Sequence, residues 1–149
     1  EDGPSNYWME RGTEREEQAR ALYTFQTGLA VEQVAFVFYD KAERIGCSPD
    51  GLVGDDGLVE IKSPKLSTHV GYLLAGKLPT EYRAQVQGQL MVTGRQWCDF
   101  CSYCPESNVE LFRVRVERDQ DYICELVHGV SRMVEDIDAT AERLREIAA

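Results

Sequence analysis

Long hydrophobic runs are missing from this chain. No stretch approaches the roughly 20 apolar residues that a membrane span needs, and no secretory leader is visible. The expectation is a cytoplasmic protein with no membrane partner. Histidine is scarce: His69 and His128 are the only two, and neither has a partner at metal-ligand spacing, so both read as structural. Basic charge is short as well, with 16 Lys and Arg against 26 Asp and Glu, a formal net charge of -10. That balance argues against loose, purely electrostatic binding to nucleic acid. Internal repeats and low-complexity segments are absent too, so solenoids and linker-rich architectures are set aside.

What is present fits one globular domain spanning 1–149, large enough to bury a core. The first residue is Glu1 rather than Met, as expected of a trimmed piece of something longer. The few cations are gathered unevenly. Between residues 61 and 95 stand Lys62, Lys65, Lys77, Arg83 and Arg95 against Glu81 alone, while the flanking segments are strongly acidic. Such a patch can face an anionic substrate, or it can be a solvated face of no special use.

Five cysteines without a leader suggest free thiols in a reducing compartment. Cys98, Cys101 and Cys104 have the C-x2-C-x2-C spacing of an iron–sulfur run. However, residues 96–103 read as a strand, on which Cys98 and Cys104 face one side and Cys101 the other. The three could not then bind one cluster, and buried structural thiols are the better reading.

Along the chain, residues 1–12 are polar, with Tyr7, Trp8 and Met9 as a docking patch. Thr13–Thr27 reads as a helix stopped by Gly28, with Glu16, Ala19 and Tyr23 on one face. Val31–Tyr39 is apolar on both alternating faces, the pattern of a strand buried on both sides. A helix is expected over 67–75, capped by Ser67 or Thr68, and a second over 80–92 with Thr80 as N-cap. On that second helix Tyr82, Gln85 and Gln89 line one side, and Val86 and Leu90 the other flank. Strands near 96–103 and 109–116 follow, joined by a turn at 105–108. The chain closes on a long amphipathic helix, about 119–147, with a break expected near Gly129 and an inner stripe of Leu126, Val130, Met133, Val134, Ile137, Ala141, Leu144 and Ile147. Together these elements make an α/β (α+β) fold, a central mixed β-sheet flanked by helices.

One stretch carries chemistry. From Cys47 to Pro64 the chain reads as two short strands folded back through Gly54-Asp55-Asp56-Gly57. Closing that hairpin brings Asp50 beside Glu60, and alternation puts Glu60 and Lys62 on one face with Val59 and Ile61 on the other. Two carboxylates and an amine would meet there, a place for a divalent cation and an attacking water. Each piece also has a plain reading. Ser48-Pro49-Asp50-Gly51 is ordinary turn chemistry, Glu-x-Lys pairs are common on exposed strands, Thr13-x-x-Glu16 fits a capping box, and Gln85 could be a solvated helix residue.

The combination is more specific. Proline–aspartate on one strand, nine intervening residues, then Glu60-x-Lys62 on the next resembles the PD-(D/E)xK nucleases, whose core is restriction-endonuclease-like. Within them the chain is similar to the lambda-exonuclease or YqaJ-like viral recombinase family. Gly12-Thr-Glu-Arg-Glu16-Glu-Gln-Ala-Arg20, Cys47-Ser-Pro-Asp50-Gly-Leu, Leu58-Val-Glu60-Ile-Lys62-Ser-Pro64, Tyr82-Arg-Ala-Gln85-Val-Gln87 and Met91-Val-Thr-Gly-Arg-Gln-Trp97 carry the likeness, with Arg118-Asp119-Gln-Asp-Tyr122 after them. The resemblance implies that Asp50, Glu60 and the backbone carbonyl of Ile61 ligate Mg²⁺ or Mn²⁺, with Glu16 completing the acidic rim. It implies that Lys62 activates water and that Gln85 positions the nucleophile. Lys65, Lys77, Arg83 and Tyr82 are the expected DNA contacts. It further implies a DNA exonuclease acting 5′ to 3′ on double-stranded ends in phage-type homologous recombination, as a homotrimer that hands its product strand to a single-strand annealing protein. Members of the family carry a further N-terminal segment, which this chain is expected to lack, so end recognition is left open. Two alternatives stand beside this reading: a Cas4-like iron–sulfur nuclease, and a truncated non-catalytic nuclease core that binds DNA or a partner. The first demands a brown protein, so a colourless preparation of the intact chain removes it.

Overall fold

The computed structural model describes residues 4–148, with side chains from residue 12 onward. Its elements run α1 (Pro4–Thr27), β1 (Val31–Glu32), β2 (Val37–Phe38), β3 (Gly46–Cys47), β4 (Gly51–Val53), β5 (Gly57–Lys62), α2 (Leu66–Ala75), a 3-10 turn (Thr80–Tyr82), α3 (Arg83–Thr93), β6 (Trp97–Tyr103), β7 (Leu111–Glu117) and α4 (Gln120–Ala148). Five strands form one mixed sheet in the order β1-β4-β5-β6-β7, while β2 and β3 pair separately. Within the sheet only the β5–β6 pair is parallel. Parallel neighbours need a crossover, and here α2, the 3-10 turn and α3 supply it.

Both faces of the sheet are covered. Val59 and Ile61 point with Val53, Cys101 and Tyr103 toward Ala19 and Tyr23 of α1. Leu58 points the other way and packs with Cys98 and Phe100 against Val86, Leu90 and Met91 of α3 and Ile123 of α4. Cys98 and Cys101 therefore lie on opposite faces of β6, as strand alternation requires, and cannot share a cluster.

The hairpin forms at the expected turn. Gly51 pairs with Val59 and Val53 with Gly57. Gly54 takes φ +54°, a left-handed conformation suited to glycine. A Cβ on Gly57 would fall 2.1 Å from the Trp97 ring, so only glycine lets β5 lie this close to it. Arg95 then braces the turn, donating to the carbonyls of Gly54 and Gly57, both at 2.7 Å.

Several local expectations need correction. The first helix does not begin at Thr13 but runs unbroken from Pro4, which removes the capping-box reading of Glu16. The side chains of Tyr7, Trp8 and Met9 lie outside the described residues. Residues 31–39 are not a strand buried on both sides. They form two dipeptide strands, and Phe36, Phe38 and Tyr39 are exposed, because β1 sits at the sheet edge and β2 pairs only with β3. Neither Ser67 nor Thr68 caps α2, whose N-cap is Lys65 without a side-chain bond. Thr80 opens a 3-10 turn rather than capping α3. Gly129 does not break α4. Its apolar stripe is only partly an inner one: Ile123 is buried, but Met133, Ile137, Leu144 and Ile147 are 54–74 % exposed. The sheet and α3 offer a partner for the first turns of α4 alone, and the rest of the helix runs past them.

His69 is a satisfied core residue. Its Nε2 donates to the Val109 carbonyl at 2.8 Å, which leaves Nδ1 to accept from Ser102 at 2.7 Å. On the α1 face of the sheet, buried Asp99 accepts from Tyr23 Oη at 2.8 Å and from Arg115 and Arg113 at 2.9–3.1 Å. A hydrogen bond to a buried charge is among the stronger ones, so Tyr23→Phe is expected to cost about 2 kcal/mol of stability in urea unfolding. An unchanged urea midpoint would show that the hydroxyl contributes nothing.

Candidate active site

Glu60 lies on the central strand with its side chain aimed at α3, and it is 1 % exposed. A buried carboxylate persists only if paired and hydrogen-bonded. Three donors meet it. Lys62, two residues along on the same face, contacts Oε1 through Nζ. Gln85 Nε2 also donates to Oε1, at 2.6 Å, and Gln89 Nε2 donates to Oε2, at 2.6 Å. Gln85 and Gln89 are one helical turn apart on α3, so both amides reach the same strand residue.

Asp50 immediately precedes β4, and the hairpin register sets it opposite Glu60. Its Oδ2 accepts from the Ile61 N–H at 2.7 Å. In an extended strand the N–H and C=O of one residue leave on the same side, so the Ile61 carbonyl also faces this end of β4. Burial first, and then the neighbouring Glu60 and Glu16 carboxylates, push the Asp50 carboxyl up to about 7, against the pull of the Ile61 N–H and Lys62. Burial and the Glu60 charge also push the Cys47 thiol up to about 11, away from a reactive thiolate.

Glu16 stands at the rim on α1. It pairs with Arg20, whose guanidinium also reaches the Asp50 carbonyl at 3.5 Å. Among the described residues, no three acidic, histidine or cysteine side chains lie close enough to form a ready-made ion cage. The donor set nevertheless suits a hard divalent ion. Its ligands would be oxygens, and burial first, then the neighbouring Glu60 and Glu16 carboxylates, make the ionised Asp50 costly in a way that a cation would relieve.

The expected DNA contacts fare differently. Lys65 is exposed and lines a cleft of about 460 Å³ with Arg15, Ser63, Pro64 and Glu106. Lys77 is exposed on the loop after α2. Arg83 pairs with Asp119 at 2.9 Å and lies 4.2 Å over the Tyr122 ring, tying α3 to α4. Tyr82 is half-buried against Phe100, with ring centroids 5.1 Å apart, and Lys62 Nζ sits 5.2 Å above its ring. That distance is within cation–π range. Gln89, Arg20 and this contact of Tyr82 were not singled out from sequence, although the four-residue spacing of Gln85 and Gln89 was the available signal.

A second cleft of about 460 Å³ opens between α3 and α4, with Cys47, Ser48, Gln85 and Gln89 at one end and Met91, Val130, Met133 and Ile137 along it.

Comparisons with known proteins bear on the family and the fold. The model of the YqaJ-like viral recombinase domain matches residues 1–96. The chain belongs to that family. The crystal structure of an alkaline exonuclease from Laribacter hongkongensis is 43 % identical, with a TM-score of 0.90, and the match covers 95 % of this chain and 74 % of that one. The same exonuclease in complex with dAMP gives 42 % identity and a TM-score of 0.91 over 100 % of this chain and 76 % of that one. A phage-related exonuclease from Haemophilus somnus shares the fold, at 16 % identity and a TM-score of 0.59, over 87 % of this chain and 73 % of its own. No curated protein sequence matches. No helix among the described residues is long and apolar enough to cross a membrane.

The raised Asp50 value sets a pH dependence. A carboxyl that holds its proton more tightly when folded stabilises the fold fully below about pH 4, and that contribution is lost as pH rises to about 7. In chelator, the melting temperature of the wild type is therefore expected to fall relative to Asp50→Asn between about pH 4 and 7. A difference that stays constant with pH would overturn the assignment of a raised Asp50 carboxyl, held up by burial and then by its acidic neighbours.

Proposed function

We propose that this chain is a divalent-metal-dependent deoxyribonuclease, an exonuclease that hydrolyses phosphodiester bonds of linear double-stranded DNA. The observation that carries the reading is the meeting of Asp50, Glu60 and Lys62 where the start of β4 lies beside the end of β5, on a fold shared with alkaline exonucleases. Asp50, Glu60 and the Ile61 carbonyl would hold Mg²⁺ or Mn²⁺, with Glu16 at the rim. When bound, the ion would acidify a coordinated water and stabilise charge on the phosphate.

The chain's own residues do the rest. Lys62 Nζ exchanges Glu60 for the attacking water and the scissile phosphate, and Tyr82 keeps it within reach. Gln85, exposed at its outer end and likewise lodged on Glu60 Oε1, turns outward to orient the nucleophile. Removal of a single group of this kind typically costs about 10²–10³ in rate.

Digestion from 5′ to 3′, a homotrimeric ring around the duplex, delivery of the product strand to a single-strand annealing protein and service in phage-type recombination all belong to the same proposal. They are supported by the motifs of residues 12–122 and by the recombinase family match. Enclosure would let a chain of net charge -10 stay on DNA without a broad basic surface.

The test is digestion of end-labelled linear and circular duplex with and without Mg²⁺. Loss of the linear form alone is expected, from the 5′ end; cutting of circles would indicate an endonuclease, and no cutting a binding core. Asp50→Ala, Glu60→Gln and Lys62→Ala should each lower the rate by about 10² or more while the protein stays folded. Turnover near wild type in any of the three would sink the site assignment.

A further inference from the structure

We propose that Gln89 is a positioning residue for ion binding. Its side-chain N–H pins Glu60 by Oε2, and its carbonyl oxygen accepts a hydrogen bond from a water of the ion's hydration shell. This rests on the metal-dependent reading of the same site.

The two oxygens of Glu60 are served unequally. Oε1 carries Lys62 and Gln85, both of which reach in from positions open to solvent. Oε2 carries Gln89 alone, a residue 3 % exposed. Any cation that takes Oε1 displaces Lys62 and Gln85, which the reaction needs elsewhere. The bond from Gln89 is the one that can survive loading, and it keeps the carboxylate from turning as its other partners leave.

The opposite end of the Gln89 amide points to the same conclusion. Its orientation is dictated, because reversing it would set a carbonyl oxygen against Glu60 Oε2. The Gln89 Oε1 atom is thereby left as the one buried side-chain polar atom without a partner among the described residues. Buried acceptors in native proteins are nearly always matched. An ion of this class retains several waters, and Gln89 lines the cleft that holds Ser48 and Gln85, through which water can enter. Holding Glu60 uses only the N–H end of the Gln89 amide; the spare acceptor at its other end plays no part in that task.

The test uses Gln89→Met, which keeps the length and removes both polar ends, on the intact chain. Mn²⁺ binding is measured by electron paramagnetic resonance, and melting temperature in chelator and in Mn²⁺. Wild type is expected to bind Mn²⁺. Gln89→Met is expected to melt lower than wild type in chelator, because Glu60 Oε2 loses its donor, and, while folded, to bind Mn²⁺ about 10- to 100-fold more weakly, with most of the ion-induced rise in melting temperature lost. Wild-type Mn²⁺ affinity in a folded Gln89→Met would overturn the proposal, as would a loss confined to stability in chelator. If Gln89→Met does not fold, Gln89→Asn, too short to reach Glu60, carries the same expectation and the same refutation. A wild type that fails to bind Mn²⁺ would instead bring down the metal-dependent reading itself.

Discussion

A carboxylate buried in the middle of a sheet is the constraint around which this molecule is arranged. Glu60 lies on the parallel–antiparallel junction strand β5, out of water, and its charge has to be met from within the protein. That requirement aligns α3 so that two amides one turn apart face the strand, and it holds Lys62 against Glu60 rather than in solvent. It also makes the hairpin register decisive. A slip of one residue would turn Glu60 into the α1 core and Val59 toward α3. The turn glycines, the Arg95 brace and the closeness of Trp97 to Gly57 all serve that register.

The same demand explains how little basic charge is left for a substrate. Of the cations between residues 61 and 95, Arg95 is committed to the hairpin turn and Arg83 to the start of α4. On the far face, Arg113 and Arg115 neutralise buried Asp99. Of that segment, Lys65 and Lys77 remain exposed, and Lys62 is held on Glu60. Grip on a long acidic polymer therefore has to come from shape as much as from local charge, and ion binding at the carboxylates would supply the remaining positive charge at the one point where it is needed.

Much of the fold was legible in the chain, and where it was not the reasons are local. Alternation over Leu58–Lys62 reported a strand with two different covered faces, because both α1 and α3 pack on it. The same alternating apolarity over 31–39 misled, because apolar side chains at a sheet edge and in a two-strand ribbon look no different in sequence from those of a central strand. The stripe on α4 was read correctly as a stripe, but periodicity carries no information on whether a partner lies opposite. The cap assignments failed because Lys65 and Pro79 began the turns without side-chain help.

The site divides in the same way. Sequence by itself determined the hairpin, the neighbourhood of Asp50 and Glu60, the shared face of Glu60 and Lys62 and the family, since each follows from short-range geometry or from motifs in fixed order. Tertiary structure alone decided that Glu60 is buried and triply hydrogen-bonded, that both Gln85 and Gln89 reach it, and that the Tyr82 ring lies against Lys62 while Arg83 pairs with Asp119. These are contacts between residues some 20 to 36 positions apart, brought together by a crossover whose packing no local pattern encodes. Burial and partner choice are properties of the assembled sheet and helices, and they are what convert a common turn sequence into a charged site.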